Sequence, residues 1–237
     1  MEKFNKGYIL NIYDNDENDS NIKALLDDGR IISLKAKGFQ KPESKNRAAI
    51  KTGSIVELEY FQKDQYPNSG LLKRGTYVSM FKPTNQRDLS VVRFIDALWT
   101  RRKEATDNTF KIIEKIINEL NTQIVTWAHV ILIIRDYLIS ENIKLTATKC
   151  ASCSSSDNIY TFDPRSGGLL CKNCADQNIK PIDVELLKKI IICFSSSDSS
   201  FTRKVIFNPN EAAVLREIFM NQLIDDLGVN ADLLKLI

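Results

Sequence analysis

Two Cys-x-x-Cys pairs constrain the fold of this chain more than any other feature. Cys150 and Cys153 form the first pair, Cys171 and Cys174 form the second, and seventeen residues separate them. This spacing matches the four-thiolate zinc pattern, in which four sulfurs lie about 2.3 Å from the metal in a tetrahedron. Because that shell leaves no open position, we predict one structural zinc ion as the cofactor. The alternatives are two disulfides or four unrelated cysteines.

The residues between the pairs predict a β-hairpin. Residues 159–162 are β-prone, residues 163–168 form a turn in which Gly167 and Gly168 can adopt positive φ, and two leucines lead into the second pair. We therefore expect a zinc module at residues 148–176 with two ligands at each end of the hairpin. Tyr160 and Phe162 are expected to pack inside this module.

Nothing in the sequence indicates passage into a membrane. The apolar run 130–134 is followed at once by Arg135 and Asp136, and the N-terminus has early charges and no long apolar stretch. We expect a cytoplasmic protein with no membrane partner, and reduced thiols there favour metal over disulfides. The fifth cysteine, Cys193, lies in an apolar run and is expected to be an inert core residue.

The apolar pattern divides the chain into a β part and a helical part. Strands are predicted at residues 7–13, 22–26, 30–36, 54–61 and 71–80. Five short strands favour an OB-fold barrel, with an SH3-like barrel as the alternative. Helices are predicted at residues 88–103, 107–120, 122–140, 183–194, 208–227 and 231–237.

We therefore predict an α+β protein. Its OB-fold nucleic-acid-binding domain is residues 1–81, and an α-helical domain with the inserted zinc hairpin is residues 82–237. Asn208, Pro209 and Glu211 form a helix-start signature. His129 lies in the most apolar helix and is expected to be a core residue and not a ligand.

Basic residues are concentrated between residues 30 and 51 of the barrel sequence, where Glu43 is the only acid. Lysines on a loop such as residues 37–45 can follow a phosphate backbone without reading bases. The alternative is a solvated loop that keeps the protein soluble. Residues 101–103 either end a helix or extend the basic surface. The candidate nucleic-acid-binding residues are Arg30, Lys35, Lys37, Lys41, Lys45, Arg47 and Lys51.

Known catalytic motifs are missing from the sequence. It contains neither the Gly-x-x-x-x-Gly-Lys-Ser/Thr phosphate loop nor a Gly-x-Gly-x-x-Gly dinucleotide loop. A zinc deaminase needs His-x-Glu before its cysteines, whereas His129 is followed by Val130 and Ile131. We therefore predict that the chain is not an enzyme.

Two motifs and the order of elements resemble the RecO family of bacterial recombination mediators. The motifs are Ala36-Lys37-Gly38 with Lys41-Pro42-Glu43-Ser44-Lys45, and the stretch from Phe162 to Cys174 that contains Gly167-Gly168-Leu169-Leu170-Cys171. The element order matches over nearly the whole length. Two features depart from the family: the turn before Gly29 is shorter than usual, and the loop 14–19 is unusually acidic.

The resemblance implies a DNA-repair protein that acts in homologous recombination after DNA damage. Such proteins bind single- and double-stranded DNA, anneal complementary strands and work with RecR. They help to load RecA onto DNA coated by single-stranded-DNA-binding protein (SSB), whose acidic C-terminal tail they bind. A cytoplasmic, nucleoid-associated location follows from that role. The alternative functions are a zinc-ribbon nucleic-acid adaptor in transcription or RNA metabolism, and a zinc-dependent enzyme, which the saturated metal shell disfavours.

Overall fold

The protein is a mixed α/β chain in which a five-stranded part comes first and a mainly helical part with a two-stranded hairpin follows. The computed structural model describes residues 1–15, 17–80, 82, 86–120, 126–196 and 199–226. The described residues form two compact units, residues 1–120 and 126–226. The last strand of the first unit ends at residue 80, and that unit continues beyond it to include two helices. The domain boundary between residues 81 and 82 stays a prediction.

Five strands of the first unit form a closed barrel in the order β1-β2-β3-β5-β4. Neighbours are antiparallel except β3 and β5, which are parallel. Its interior is a single apolar cluster that includes Ile9, Leu34 and Tyr60. The strands are β1 (Glu2–Asp14), β2 (Ser20–Leu26), β3 (Ile31–Ala36), β4 (Ser54–Phe61) and β5 (Ser69–Met80).

All five predicted strands are present, but β1 is much longer than its apolar pattern indicates. It begins at Glu2, five residues before the predicted start. Residues 2–8 of β1 pair with β4, from Glu2 opposite Phe61 to Tyr8 opposite Ile55. Strand pairing therefore extends β1 through a charged segment whose local sequence gives little strand signal.

A short helix, α1 (Lys45–Ala49), begins at the end of the predicted flexible loop. The Ser44 side chain accepts a hydrogen bond from the Arg47 backbone N–H and caps the helix. Ile50, which follows α1, is buried in the barrel cluster. The predicted loop therefore ends where α1 begins, and the chain beyond it is anchored in the core through Ile50.

Two further helices, α2 (Gln86–Trp99) and α3 (Thr109–Leu120), complete the first unit. The first was predicted to extend to Lys103, and this is wrong. The Lys103 carbonyl accepts a hydrogen bond of 2.9 Å from the Ile31 N–H, and Glu104 forms a β-bridge with Arg30. Residues 101–103 therefore follow α2 as a non-helical segment, and Lys103 is hydrogen-bonded to the start of β3.

The second unit contains three helices and the predicted hairpin. The helices are α4 (Trp127–Ser140), α5 (Val184–Ser195) and α6 (Pro209–Asn221), a π-helical turn follows at Gln222–Asp226, and the hairpin is β6 (Ile159–Asp163) with β7 (Gly168–Cys171). The predicted capping box forms, because Asn208 and Glu211 each accept the other's backbone N–H. Cys193 and His129 are buried, as predicted.

Three predictions fall outside the described residues: the start of the third predicted helix at 122, the end of the next-to-last at 227, and the last helix, 231–237. Within the described part of the chain, the helices are all too short or too polar to cross a membrane.

A buried polar pair links α2 to the barrel. The Tyr8 hydroxyl donates to Asp96 Oδ1 over 3.1 Å. Burial raises the pKa of Asp96 well above its usual range, and the Tyr8 hydrogen bond offsets only part of that rise. The folded protein therefore keeps a proton on Asp96 at pH values where the unfolded chain has lost it.

We predict that Asp96→Asn becomes increasingly favourable to stability as the pH rises. The stabilising contribution of protonated Asp96 is complete below about pH 4, the unfolded pKa, and is lost as the pH rises through the raised folded pKa. Asparagine still accepts from Tyr8 and has no proton to lose. Thermal unfolding from pH 4 to 7 should show a growing difference in Tm between variant and wild type. Asp64→Asn, at an exposed loop position, is the control, and a pH-independent difference for Asp96→Asn would contradict the prediction.

Candidate functional site

Two tight turns direct the four cysteine sulfurs toward one point. In the first, the Ser154 N–H donates to the Cys150 carbonyl over 2.9 Å, and Ser154 has φ of 62°. In the second, the Cys174 and Ala175 N–H groups both donate to the Cys171 carbonyl over 3.0 Å. Each Cys-x-x-Cys sequence thus folds back on itself, as the spacing predicts.

Backbone contacts at Gly168 bring the two turns together. The Thr146 N–H donates to Gly167, and the Leu169 N–H donates back to Thr146. Gly168 has φ of 125°, and a methyl group there would lie 2.2 Å from the Thr146 carbonyl oxygen. Only glycine fits this position. The chain before Cys150 is therefore hydrogen-bonded to the hairpin, which places Cys150 and Cys153 next to Cys171 and Cys174.

The four sulfurs form a cluster that could hold a metal ion. Sγ atoms of Cys150, Cys153, Cys171 and Cys174 all lie within 4.8 Å of one another, and those of Cys153 and Cys171 are 3.7 Å apart. Four sulfurs around an ion at about 2.3 Å would be about 3.8 Å apart. All five cysteines are free thiols, so the disulfide alternative does not describe this structure.

The electrostatics of the cluster also favour a cation. Backbone N–H groups of Cys153 and then Cys171 lower the pKa of Cys150 to about 6. The Ser152 hydrogen bond lowers the pKa of Cys174, but the Cys171, Cys153 and Cys150 thiols and burial together raise it to about 12. Four thiolates at this separation repel one another, so a cation is needed for all of them to ionise together.

The aromatic residues of the hairpin do not pack as predicted. Phe162 is buried, but its ring lies 5.1 Å from that of Phe194 and 6.2 Å from that of Phe219. It therefore packs against α5 and α6 and not within the module. Tyr160 is half-buried, and its carbonyl accepts the Ile182 N–H. The hairpin is consequently joined to the helices of its own unit through Phe162.

The basic residues of the barrel lie in two separate places. Arg30 is at the turn before β3, where it forms a 2.7 Å ion pair with Asp28. Lys35 lies near the other end of the same strand, and Lys37 just beyond it. Seven residues of extended chain span about 23 Å, so Arg30 is remote from Lys37. The structure does not bring all seven candidates together.

Most of the remaining candidates are available for an external anion. Lys35 Nζ lies 3.4 Å from Asp19 Oδ2, and Arg47 donates to the Gln40 carbonyl over 2.8 Å. Among the described residues, the other four have no carboxylate within 4 Å, and all four are exposed. They are Lys37, Lys41, Lys45 and Lys51.

Three further residues on the barrel surface lie outside the predicted basic segment 30–51. Lys23 lies on β2 opposite Ser33 of β3, and burial lowers its pKa. Tyr13 at the end of β1 is 44% exposed, and Tyr66 in the β4–β5 loop is 56% exposed. The alternation of buried and partly exposed residues along β2 is the signal that could have identified Lys23.

The chain is similar to a known DNA-repair protein. No protein-family model matches it. It is 22% identical over 231 residues to the DNA repair protein RecO of Mesoplasma florum, with 94% of this chain and 86% of that protein covered. The similarity gives weak support for membership of a RecO-like family, because it is low in identity but extends over nearly the whole chain.

We predict that the cysteine cluster couples metal content to stability. Cys171→Ser should lower the bound metal per chain and the Tm together, because metal binding contributes to folding. Cys193→Ser is the matched control: Cys193 is buried outside the cluster, so that variant should keep its metal even if it is less stable. Elemental analysis of protein purified without chelator, with calorimetry, measures both. A metal-free wild type would contradict the prediction.

Proposed function

We propose that this protein is a DNA-repair and recombination mediator of the RecO type. The observation that carries the proposal is the similarity to Mesoplasma florum RecO over 94% of the chain. The motifs quoted above and the order of barrel, helices and cysteine hairpin support it. In this proposal the protein anneals complementary strands and does not catalyse a reaction. It acts in the cytoplasm on the nucleoid.

The barrel is an OB fold in this proposal. Five strands closed in the order β1-β2-β3-β5-β4, with α1 between β3 and β4, favour that assignment over an SH3-like barrel. OB folds bind oligonucleotides on the β2–β3 face and on the loops between β1 and β2 and between β4 and β5. Lys23 and Lys35 lie on β2 and β3, and the exposed Tyr66 lies in the β4–β5 loop. The exposed Tyr13 lies in β1, just before the β1–β2 loop.

Phosphate contacts supply most of the DNA affinity in this proposal. Six cations follow one another along β3, the loop, α1 and the residues just after it, so a strand can run beside them without base readout. They are Lys35, Lys37, Lys41, Lys45, Arg47 and Lys51. Arg30 contributes less, because Asp28 already neutralises its guanidinium. Bringing two polyanions together without ATP requires that their repulsion be lowered, and cations do this by releasing counterions.

The metal at the cysteine cluster is zinc in this proposal. Four thiolates in a tetrahedron are the ligand set of structural zinc sites. They leave no position for water or substrate, so the ion would hold the hairpin together and take no part in a reaction. Binding of such an ion can supply about 10–16 kcal/mol of apparent free energy to folding.

The protein partners in this proposal are RecR, SSB and, indirectly, RecA. The SSB tail is apolar and acidic, so its site should combine an apolar groove with a cation. A cavity of about 490 Å³ in the second unit meets this description. Its walls include Phe162, Ile179, Val214 and Ile218, and Lys180 is an exposed cation at its edge.

We predict that replacing Lys37, Lys41, Lys45 and Arg47 together by alanine weakens DNA binding equally for all sequences. Each lost phosphate contact reduces the slope of log affinity against log salt by about 0.7 for single strands, so the slope should flatten by up to about 3. Fluorescence anisotropy at a series of salt concentrations measures this. Metal content should not change. A titration that overlays the wild type would show that DNA is bound elsewhere and that this loop is only solvated.

We predict that the protein accelerates annealing of complementary oligonucleotides, both bare and coated with SSB. With SSB that lacks its C-terminal tail, only the acceleration on coated strands should be lost. Lys180→Glu should have the same selective effect, whereas Lys144→Glu, at the edge of a smaller cavity, should not. Failure to anneal bare strands would contradict the proposed function. It would favour the zinc-ribbon adaptor, which binds nucleic acid without annealing it.

A further inference from the structure

The acidic loop between β1 and β2 is hydrogen-bonded to the basic turn after β3. Asp19 Oδ1 accepts the Gly38 N–H over 2.9 Å, and Asp19 Oδ2 lies 3.4 Å from Lys35 Nζ. The Gln40 N–H also donates to the Asn18 carbonyl over 3.0 Å. One carboxylate is thus bound by a backbone amide and a lysine in the segment assigned above to phosphate contacts.

The groups around Asp19 are those that bind oxyanions in general. Gly38 has φ of 64°, and backbone N–H groups in such left-handed turns form concave anion sites. The Gly38 N–H, Lys35 and Lys37 all act in the same direction, since each lowers the pKa of Asp19, the Gly38 hydrogen bond most. Together the Gly38 N–H, Lys35 and Lys37 make an anion cradle, which is the name used below.

The bond between Asp19 and the cradle is open to exchange. The Lys35 and Asp19 side chains are 48% and 23% exposed, and ion pairs that water reaches contribute little to stability. The loop and its two ends have separate attachments. The Gln40 side chain donates to Asp14 at the end of β1 and to Ser20 Oγ at the start of β2, and the Gln40 N–H donates to the Asn18 carbonyl. Asp19 can therefore leave the cradle while the loop stays in place.

We propose that the anion cradle is a phosphate site of the nucleic-acid surface, and that Asp19 occupies it until a phosphate displaces the carboxylate. The proposal rests on the proposed function, since it assumes that the basic segment binds nucleic acid. Asp19 then acts as a competitor built into the chain. Its proximity gives it a high effective concentration, so it lowers affinity for nucleic acid and promotes release.

The test compares two variants that remove the same charge from the same surface. Asp19→Asn keeps an oxygen that accepts from Gly38 but no longer competes for Lys35. Glu43→Gln is the matched control, because Glu43 is exposed and, among the described residues, has no ion-pair partner. Anisotropy with a single-stranded oligonucleotide should show a slope against log salt steeper by about 0.7 for Asp19→Asn.

The same comparison gives the expected change in affinity. Asp19→Asn should bind more tightly than wild type, with an advantage that shrinks about 2.5-fold between 50 and 200 mM salt. Glu43→Gln should keep the wild-type slope. An unchanged slope for Asp19→Asn would overturn the proposal and make Asp19 a structural link only. An equal steepening in both variants would also overturn it, because a general charge effect would then suffice.

A second measurement separates this proposal from the proposed function. Inorganic phosphate, titrated at constant ionic strength, should shift the Gly38 amide signal in the nuclear magnetic resonance spectrum of Asp19→Asn at lower concentration than in wild type. The shift is expected even if the wild type binds no oligonucleotide, a result that would reject the function but not the cradle. No difference between the two proteins would reject the cradle. Asp19→Ser replaces Asp19→Asn if that variant does not fold.

Discussion

Closure of the barrel by the parallel contact between β3 and β5 is the interaction on which the first unit depends. It consists of only three residue pairs, from Ser33 opposite Ser69 to Lys35 opposite Leu71. The strands can approach because Gly70 has no side chain: a methyl group there would lie 3.0 Å from Leu34 Cδ2 of β3, and 2.8 Å from the Phe61 carbonyl oxygen of β4. Without the β3–β5 pairing the apolar interior would face water, and β3 would lose one of its two neighbouring strands.

The register of β3 in the barrel also determines that Lys35 faces outward. Ile32 and Leu34 are buried in the barrel, so Ser33 and Lys35 face outward in the alternation of the strand. The chain beyond Ala36 then turns at Gly38, next to the loop that follows β1. Charge on this surface is therefore a consequence of strand register, and a shift by one residue would bury Lys35.

The cysteine hairpin depends on a different constraint, because it has almost no core of its own. Its fully buried cluster is Cys150, Leu170 and Cys171, to which five partly buried residues add. Such a small apolar cluster does not offset the entropy of ordering its turns. Two of its three buried residues are metal-ligand candidates, so the same side chains would serve as core and as ligands. The contacts of Phe162 supply the remaining attachment to α5 and α6.

Sequence reasoning worked where a local signal determines the structure. Cysteine spacing, the glycine turn and the Asn208 capping box each act within a few residues, and all three form as expected. It failed where distant pairing decides the outcome. β1 extends to Glu2 because it pairs with β4. α2 ends at Trp99, and the chain beyond it is hydrogen-bonded at Lys103 to Ile31 of β3. The seven basic residues lie within one stretch of sequence, yet Arg30 precedes β3 and Lys37 follows it, so the two lie at opposite ends of that strand.

The contact between Asp19 and the anion cradle changes how the charge of the barrel should be interpreted. Residues 30–51 taken alone form a strongly basic segment. The acids that face this segment lie outside it, at the end of β1 and in the loop between β1 and β2. Asp14 ends β1 and Asp19 lies in the loop that follows, and both are hydrogen-bonded to the segment 35–40. Under the proposed function the protein must release the annealed product, and exposed lysines with an internal competitor would bind phosphate less tightly than the same lysines alone. The acidic loop, which departs from the RecO pattern, is therefore compatible with nucleic-acid binding and would adjust its strength.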